Sequence, residues 1–116
     1  MNNHSFIEKR AYPRFPVMIP AACPLSSQEN KARAYTHDIS VQGLGLALNR
    51  ELSNGSEVEV VLYMSDNGEE INKKGTVIWS RKSNGNGYRA GIKLFGDDTL
   101  KPIPLVLRTI YKQRSN

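Results

Sequence analysis

Residues 32–49 read ARAYTHDISVQGLGLALN and contain two segments with the periodicity of β-strands, 32–39 and 43–49. Only three residues, 40–42, separate them, a spacing typical of a tight connection between antiparallel strands. The stretch therefore predicts a pair of adjacent strands with a polar turn between them, and the other elements are placed around this pair.

Four further segments have the strand pattern: residues 17–24, 57–64, 75–82 and 88–95. Asn-Gly pairs at 54–55, 67–68 and 84–85 supply the positive φ angles that tight connections between strands require. Six short strands on such turns predict an all-β fold, a closed or nearly closed antiparallel barrel, because closure removes the exposed edges of a small sheet.

The pattern becomes helical near the end of the chain. Apolar residues recur at helical spacing from Leu100 to Tyr111, and Pro102 and Pro104 fit only the start of a helix. We expect a helix at 103–113 that plugs or flanks the barrel. The expected organisation is a flexible N-terminal arm (1–16), a barrel (17–96), and a helix with a tail (97–116).

Composition limits the possible functions. A chain of 116 residues with 39% hydrophobic residues forms one domain with a modest core. The formal charge of +5 lies on the two ends, which favours a short basic arm that meets an anion over a long nucleic-acid groove. Without a secretory signal or a run of about 18 apolar residues, we expect a cytoplasmic chain with no membrane insertion.

The sequence contains no pattern typical of a catalytic or metal site. His4 and His37 have no cysteine or carboxylate at metal-ligand or triad spacing, and Cys23 is the only cysteine. Gly43 and Gly45 lie between two strand patterns and do not precede a helix, so they do not form a phosphate loop. We expect no enzyme activity, no metal and no cofactor, and His37 is interpreted as an ordinary strand residue.

Two short motifs carry the functional interpretation. RAYPR (10–14) places two arginines four residues apart in the arm, and DISVQG (38–43) lies where one strand turns into the next. In this order and spacing the two motifs resemble the signatures of the PilZ domain family, Arg-x-x-x-Arg and Asp/Asn-x-Ser-x-x-Gly. The resemblance extends to the Trp79 strand and to GYRAGIKLF (87–95), and covers approximately residues 8–96.

The resemblance implies a six-stranded PilZ-type barrel with a C-terminal helix that binds the bacterial second messenger cyclic di-GMP. The family's binding residues correspond here to Arg10, Arg14, Asp38, Ser40 and Gly43. The guanidinium group of arginine can donate paired hydrogen bonds to guanine O6 and N7 or to phosphate oxygens. A carboxylate can accept hydrogen bonds from the N1–H and N2–H₂ groups of guanine. The serine hydroxyl can donate to an oxygen of the ligand, and glycine permits close approach of the ligand to the backbone.

Two further residues are expected near the ligand. Lys9 precedes the first arginine, can add a phosphate contact, and stands at a position linked in the family to the number of nucleotides bound. Gly91 in the last strand can clear space beneath a base. We expect the arm to order on binding and the changed surface to be recognised by a downstream protein; nucleotide stoichiometry, partner and oligomeric state stay open.

Three alternatives remain. Asp38 and Ser40 can form local side-chain turns, and the arginines can be a solvated arm, as in a PilZ-like protein-interaction adaptor that does not bind nucleotide. A nucleic-acid-binding barrel would need several aromatic residues on one exposed face. The aromatic candidates are instead distributed one per strand, at Tyr35, Tyr63, Trp79, Tyr88 and Phe95, so we expect no nucleic-acid partner.

Overall fold

The computed structural model describes residues 12–24 and 31–114. These residues form six antiparallel strands that close into a barrel, a short 3-10 turn at Gly96–Asp98 and one C-terminal helix, which confirms the predicted fold. The strands and the helix are β1 (Pro20–Pro24), β2 (Lys31–Ile39), β3 (Gly43–Leu48), β4 (Glu57–Tyr63), β5 (Glu70–Lys82), β6 (Tyr88–Leu94) and α1 (Pro102–Arg114).

The order of strands around the barrel is β1-β2-β3-β6-β5-β4, and pairing between β4 and β1 closes it. As the Asn-Gly pairs predicted, Gly68 between β4 and β5 and Gly85 between β5 and β6 have φ angles of 78° and 73°. An L-residue with a side chain rarely adopts such angles, so glycine sets these two turns. The order places β3 and β6 side by side between β2 and β5.

Strand ends differ from the prediction by more than one residue at two places. β5 begins at Glu70 and not at residue 75, because residues 70–74 pair with β4 although their sequence, EINKK, lacks apolar alternation. β1 begins at Pro20 and not at residue 17. The chain just before β1 is held by a side chain and not by a strand ladder.

That side chain belongs to Thr36 in β2, which is fully buried. Its hydroxyl donates to the carbonyl oxygen of Val17 at 2.5 Å and accepts from the amide of Ile19 at 2.9 Å. Phe15 and Ile39 exchange two backbone hydrogen bonds of 2.8 and 3.0 Å. These contacts fix the chain directly after Arg14 against the barrel.

The core fills the barrel and continues under α1. Strand residues such as Leu44, Leu46 and Ile92 are at most 1% exposed, and Leu100 and Leu105 from the C-terminal segment join the same cluster. Cys23 is also buried, and burial raises the pKa of its thiol to about 11, so it is protonated at neutral pH. In the residues that the structure describes, no helix is long and apolar enough to cross a membrane.

Thr36→Val should lower the free energy of unfolding by about 2–6 kcal/mol, because the buried Ile19 amide and the part-buried Val17 carbonyl lose their partner and each costs about 1–3 kcal/mol. Thr36→Ser keeps the hydroxyl, removes one buried methyl group and should cost about 1 kcal/mol. Urea unfolding of the three proteins tests this. Equal losses for the two variants would show that the methyl group, and not the hydroxyl, holds this segment.

Candidate ligand-binding site

A β-bulge in β2 creates the acidic side of the site. Thr36 pairs with Leu46 and Asp38 with Gly45, so His37 is an extra residue in the ladder. The side chains of His37 and Asp38 are both partly exposed, while Thr36 and Ile39 on either side are fully buried. Two consecutive side chains therefore lie on the outer wall of the barrel.

A second bulge, in β5, creates the apolar side. Val77 pairs with Ile92 and Trp79 with Gly91, which leaves Ile78 as the extra residue. Ile78 is 56% exposed, and Trp79 is partly exposed. The Arg81 guanidinium lies 5.2 Å from the centre of the Trp79 ring, within cation–π distance.

The two bulges face one another across a row of paired residues, Asp38, Gly45, Gly91 and Trp79, on β2, β3, β6 and β5. Because the two middle residues have no side chain, those of the outer strands fold over them. A Cβ on Gly45 would lie 2.5 Å from His37 Cε1 and 2.6 Å from Asp38 Oδ1. A Cβ on Gly91 would lie 2.7 Å from Trp79 Cε2, so the indole of Trp79 occupies the space that the sequence interpretation reserved for a base.

Arg14 and Asp38 form an ion pair at one end of this row of paired residues. Arg14 Nη2 donates to Asp38 Oδ1 at 2.7 Å. Partial burial raises the pKa of the Asp38 carboxyl, but the hydrogen bond and the charge of Arg14 outweigh it, so the pKa lies below its usual value. Asp38 is therefore ionised at neutral pH, and the Arg14 side chain stays half exposed.

His37 lies beside this pair, with Nδ1 3.5 Å from Asp38 Oδ2. Burial lowers the pKa of the imidazole, and this effect exceeds the opposing effect of Asp38, so the ring is neutral at pH 7. Its Nε2 atom is buried and has no hydrogen-bond partner in the part of the chain that the structure describes. A ligand could reach this nitrogen only if the imidazole moved, because the atom is buried.

Ser40 and Gly43 form the turn between β2 and β3. The Ser40 amide donates to the Gly43 carbonyl oxygen at 2.9 Å, and its hydroxyl donates to the same oxygen at 3.5 Å. A Cβ on Gly43 would lie 3.0 Å from the Ile92 carbonyl oxygen, tighter than most Cβ contacts. Both residues thus have a structural role before any ligand is considered.

These residues surround an open cavity of ≈ 460 Å³. Its lining consists of Tyr12, Arg14, His37, Asp38, Ser40, Gln42, Gly43, Ile78, Trp79, Ile92 and Lys93. Four residues proposed from the motifs, Arg14, Asp38, Ser40 and Gly43, thus line one cavity, and Gly91 supports Trp79 in its wall. Lys9 and Arg10 lie outside the described residues.

Sequence reasoning missed several lining residues, above all His37, Ile78, Trp79 and Lys93. In the sequence Trp79 is recognisable only as part of a strand, because nothing there relates an aromatic residue at position 79 to the arginine motif at 10–14. The position of His37 and Ile78 depends on bulges, which the sequence does not reveal.

The cavity combines two cations, Arg14 and Lys93, with one carboxylate, a neutral imidazole and aromatic faces. This set suits a small ligand that carries negative charge, flat rings and hydrogen-bond donors. In the described ranges, 12–24 and 31–114, no three His, Cys, Asp or Glu residues are grouped so that they could hold a metal ion.

Several solved structures share the fold. The Bacillus subtilis inhibitor of motility, MotI (DgrA), matches with a TM-score of 0.63 and 16% identity over 93% of this chain, which spans only 52% of that chain. The PilZ domain of Escherichia coli YcgR with c-di-GMP matches with a TM-score of 0.62 and 18% identity, over 92% of this chain and 93% of that one. The PilZ domain of CeSA from a cellulose-synthesizing bacterium matches with a TM-score of 0.52 and 20% identity, over 89% and 96%.

At these identities the structural matches establish the fold alone, and no curated protein matches the chain. The sequence itself carries the assignment, since the PilZ domain family model matches residues 8–102, a range that includes both motifs and all six strands. The chain belongs to the PilZ domain family.

Proposed function

We propose that this chain is a receptor module for cyclic di-GMP that acts on a downstream protein and has no catalytic step, cofactor or metal of its own. The observation that carries this proposal is the convergence of Arg14, Asp38, Ser40 and Gly43 on one cavity, with an ionised carboxylate and a half-exposed guanidinium at its rim. The YcgR PilZ domain, a structural neighbour, was solved with c-di-GMP. A receptor for this bacterial messenger would work in the cytoplasm.

The Arg14–Asp38 pair is suited to guanine. Asp38 Oδ1 accepts from Arg14, while Oδ2 lies 3.5 Å from His37 Nδ1. An ionised carboxylate is an acceptor only, so Oδ2 can receive the N1–H or N2–H₂ group of a guanine. Arg14 uses one of its five N–H donors on Asp38, and the others remain for guanine O6 and N7 or for a phosphate.

The opposite wall supplies stacking and a second cation. The Trp79 indole lies over Gly91 and offers a flat surface to a base. Lys93 lines the same cavity and can neutralise part of the ligand's two negative charges. The ≈ 460 Å³ volume falls within the usual range of small-molecule sites.

Ligand gating would act through the chain that precedes Phe15. From Phe15 onward the backbone is bonded to Ile39 and Thr36, so a ligand at Arg14 has little left to order there. Arg10 would join the ligand from the N-terminal side, and the entropy cost of ordering residues 9–13 would be offset by charge-assisted bonds. The surface made by these residues and the barrel would then be recognised by the downstream protein.

A second candidate is a protein-interaction adaptor that binds no nucleotide. One observation favours it: Arg14 is already paired with Asp38, and Ser40 already donates to the Gly43 carbonyl oxygen, so neither contact needs a ligand. Titration calorimetry with cyclic di-GMP separates the two candidates. Heat of binding at micromolar concentration supports the receptor, and its absence leaves the adaptor.

Replacing both Arg10 and Arg14 by alanine should abolish the calorimetric signal, because both forks that grip the ligand are removed. Arg33→Ala with Arg50→Ala makes the same change in net charge at two exposed arginines outside the cavity and should bind as the parent does. Equal weakening of both double variants would show general electrostatic attraction and not a specific arm.

Asp38→Ala should weaken binding by about 5- to 150-fold, which corresponds to about 1–3 kcal/mol for the loss of a charged hydrogen-bond partner. Asp38→Asn keeps one acceptor oxygen and should bind more tightly than the alanine variant. Affinity equal to the parent's in Asp38→Ala would return Asp38 to a structural role as the partner of Arg14.

Hydrogen exchange should report where the ligand acts. Amides near residues 9–13 should gain protection with cyclic di-GMP, while those of Phe15 and Ile19, which already have partners, should be protected with and without it. Exchange measured by mass spectrometry on overlapping peptides provides the comparison. Protection of residues 9–13 that is equal in both states would contradict arm ordering even if the nucleotide binds.

A further inference from the structure

A second cavity opens on the outer wall of the barrel, beside the nucleotide cavity. Its volume is ≈ 820 Å³, and none of its lining residues lines the nucleotide cavity. Its floor is a row of paired residues on β1, β2, β3 and β6: Pro20, Tyr35, Ala47 and Arg89. On β3 and β6 this row is two residues away from Gly45 and Gly91, so both rows lie on the same face of the sheet. We call this cavity the Tyr35 groove.

The middle of the groove is hollow and one of its edges is apolar. Ala47 is small and pairs with Tyr35 on one side and Arg89 on the other, so the wall is lowest between them. Tyr35 is 49% exposed. A smaller cavity of ≈ 230 Å³ shares Tyr35 and Pro20 with the groove, and Met18, which lines it, is 62% exposed. Large apolar side chains exposed together around a concave surface are typical of an interaction site.

The other edge of the groove carries arginines. Arg33 and Arg89 line the groove and are exposed, and Arg81 pairs directly with Arg89 across β5 and β6. Like charges directly opposite one another destabilise an antiparallel pair. Within the described residues, no Asp or Glu lines the groove, and none of these three arginines forms an ion pair. Carboxylates from another molecule would relieve this repulsion.

We propose that the Tyr35 groove binds an extended segment of a partner protein in which an aromatic or aliphatic residue stands next to acidic residues. The apolar side chain packs against Tyr35, and the carboxylates bond to Arg33 and Arg89. Four neighbouring strands span about 14 Å at a separation of about 4.8 Å, a distance that about four or five extended residues cover. The side-chain amides of Asn49 and Asn84 also line the groove and can bond to the backbone of such a segment.

A peptide fits the groove better than a nucleic acid does. Single-stranded nucleic acid stacks successive bases on several aromatic side chains and carries a charge at every nucleotide. Among the described residues that line the groove, Tyr35 is the only exposed aromatic one. Met18 and Pro20 beside it offer no aromatic face and no charge, so this edge suits the apolar side chains of a peptide.

This inference rests on the proposed function for the existence of a downstream protein, and it names the kind of segment by which that protein is bound. Because the groove and the nucleotide cavity have no lining residue in common, either proposal can fail alone. A parent protein that binds the peptide described below but gives no heat with cyclic di-GMP would remove the receptor function and support the groove.

Selection from a phage-displayed library of short random peptides tests the groove. The target is the parent protein, after depletion of the library on Tyr35→Ala. Peptides that need the groove should be enriched, and they should contain an aromatic or aliphatic residue next to Asp or Glu. The most enriched peptide, labelled with fluorescein, then gives a dissociation constant by fluorescence anisotropy.

Arg33→Gln with Arg89→Gln should weaken binding of this peptide by about 10-fold or more, because its carboxylates lose both charged partners. Lys74→Gln with Lys101→Gln is the matched control. It removes two positive charges at exposed residues that line neither cavity, and it should bind the peptide as the parent does. Circular dichroism establishes that the variants are folded.

Equal weakening by the two double variants would show general electrostatic attraction and overturn the proposal. So would the absence of any enriched peptide, or enrichment of peptides without acidic residues. Tighter binding of a fluorescein-labelled single-stranded oligonucleotide than of the selected peptide would overturn it as well, in favour of a nucleic acid.

Discussion

The architecture of the site depends on a steric constraint on two adjacent strands, the absence of a side chain at Gly45 and Gly91. A side chain from the neighbouring bulged strand lies over each glycine, so close that a Cβ atom on the glycine would clash with it. Because β3 and β6 are neighbours in the barrel, the two open positions merge into one floor. The carboxylate and imidazole on one side and the indole on the other can therefore approach the same ligand volume.

Much of the fold could be predicted from sequence because the turn residues, the strand periodicity and the need to close the barrel all indicate the same fold. The Asn-Gly pairs fixed where the chain turns, and apolar alternation located most of the strands. The start of β5 could not be predicted in this way, since Ile71 is the one apolar residue in 70–74 and the segment becomes a strand by pairing with β4. The segment before β1 has the apolar pattern of a strand but is not one. The Thr36 hydroxyl, and not a neighbouring strand, bonds the backbone groups of Val17 and Ile19.

The candidate site was predicted in its polar half and missed in its other half. Four site residues could be found because they belong to the two short motifs, RAYPR and DISVQG: Arg14, Asp38, Ser40 and Gly43. His37 and Ile78 enter the site because the register shifts by one residue in β2 and in β5, and register is a property of two paired strands. Gly91 is expected from sequence to clear space beneath a base, and in the structure the Trp79 indole lies in that space.

The contact between Arg108 and the β4–β5 turn has a consequence for rotation of the helix. Its guanidinium makes four hydrogen bonds, two to Asp66, one to Glu69 and one to Asn67. A helix seated on a barrel by apolar contacts alone could roll about its own axis, since such contacts have little directionality. The planar guanidinium of Arg108, held by four hydrogen bonds, prevents this rotation. The rotation of α1 about its own axis is therefore set by hydrogen-bond geometry.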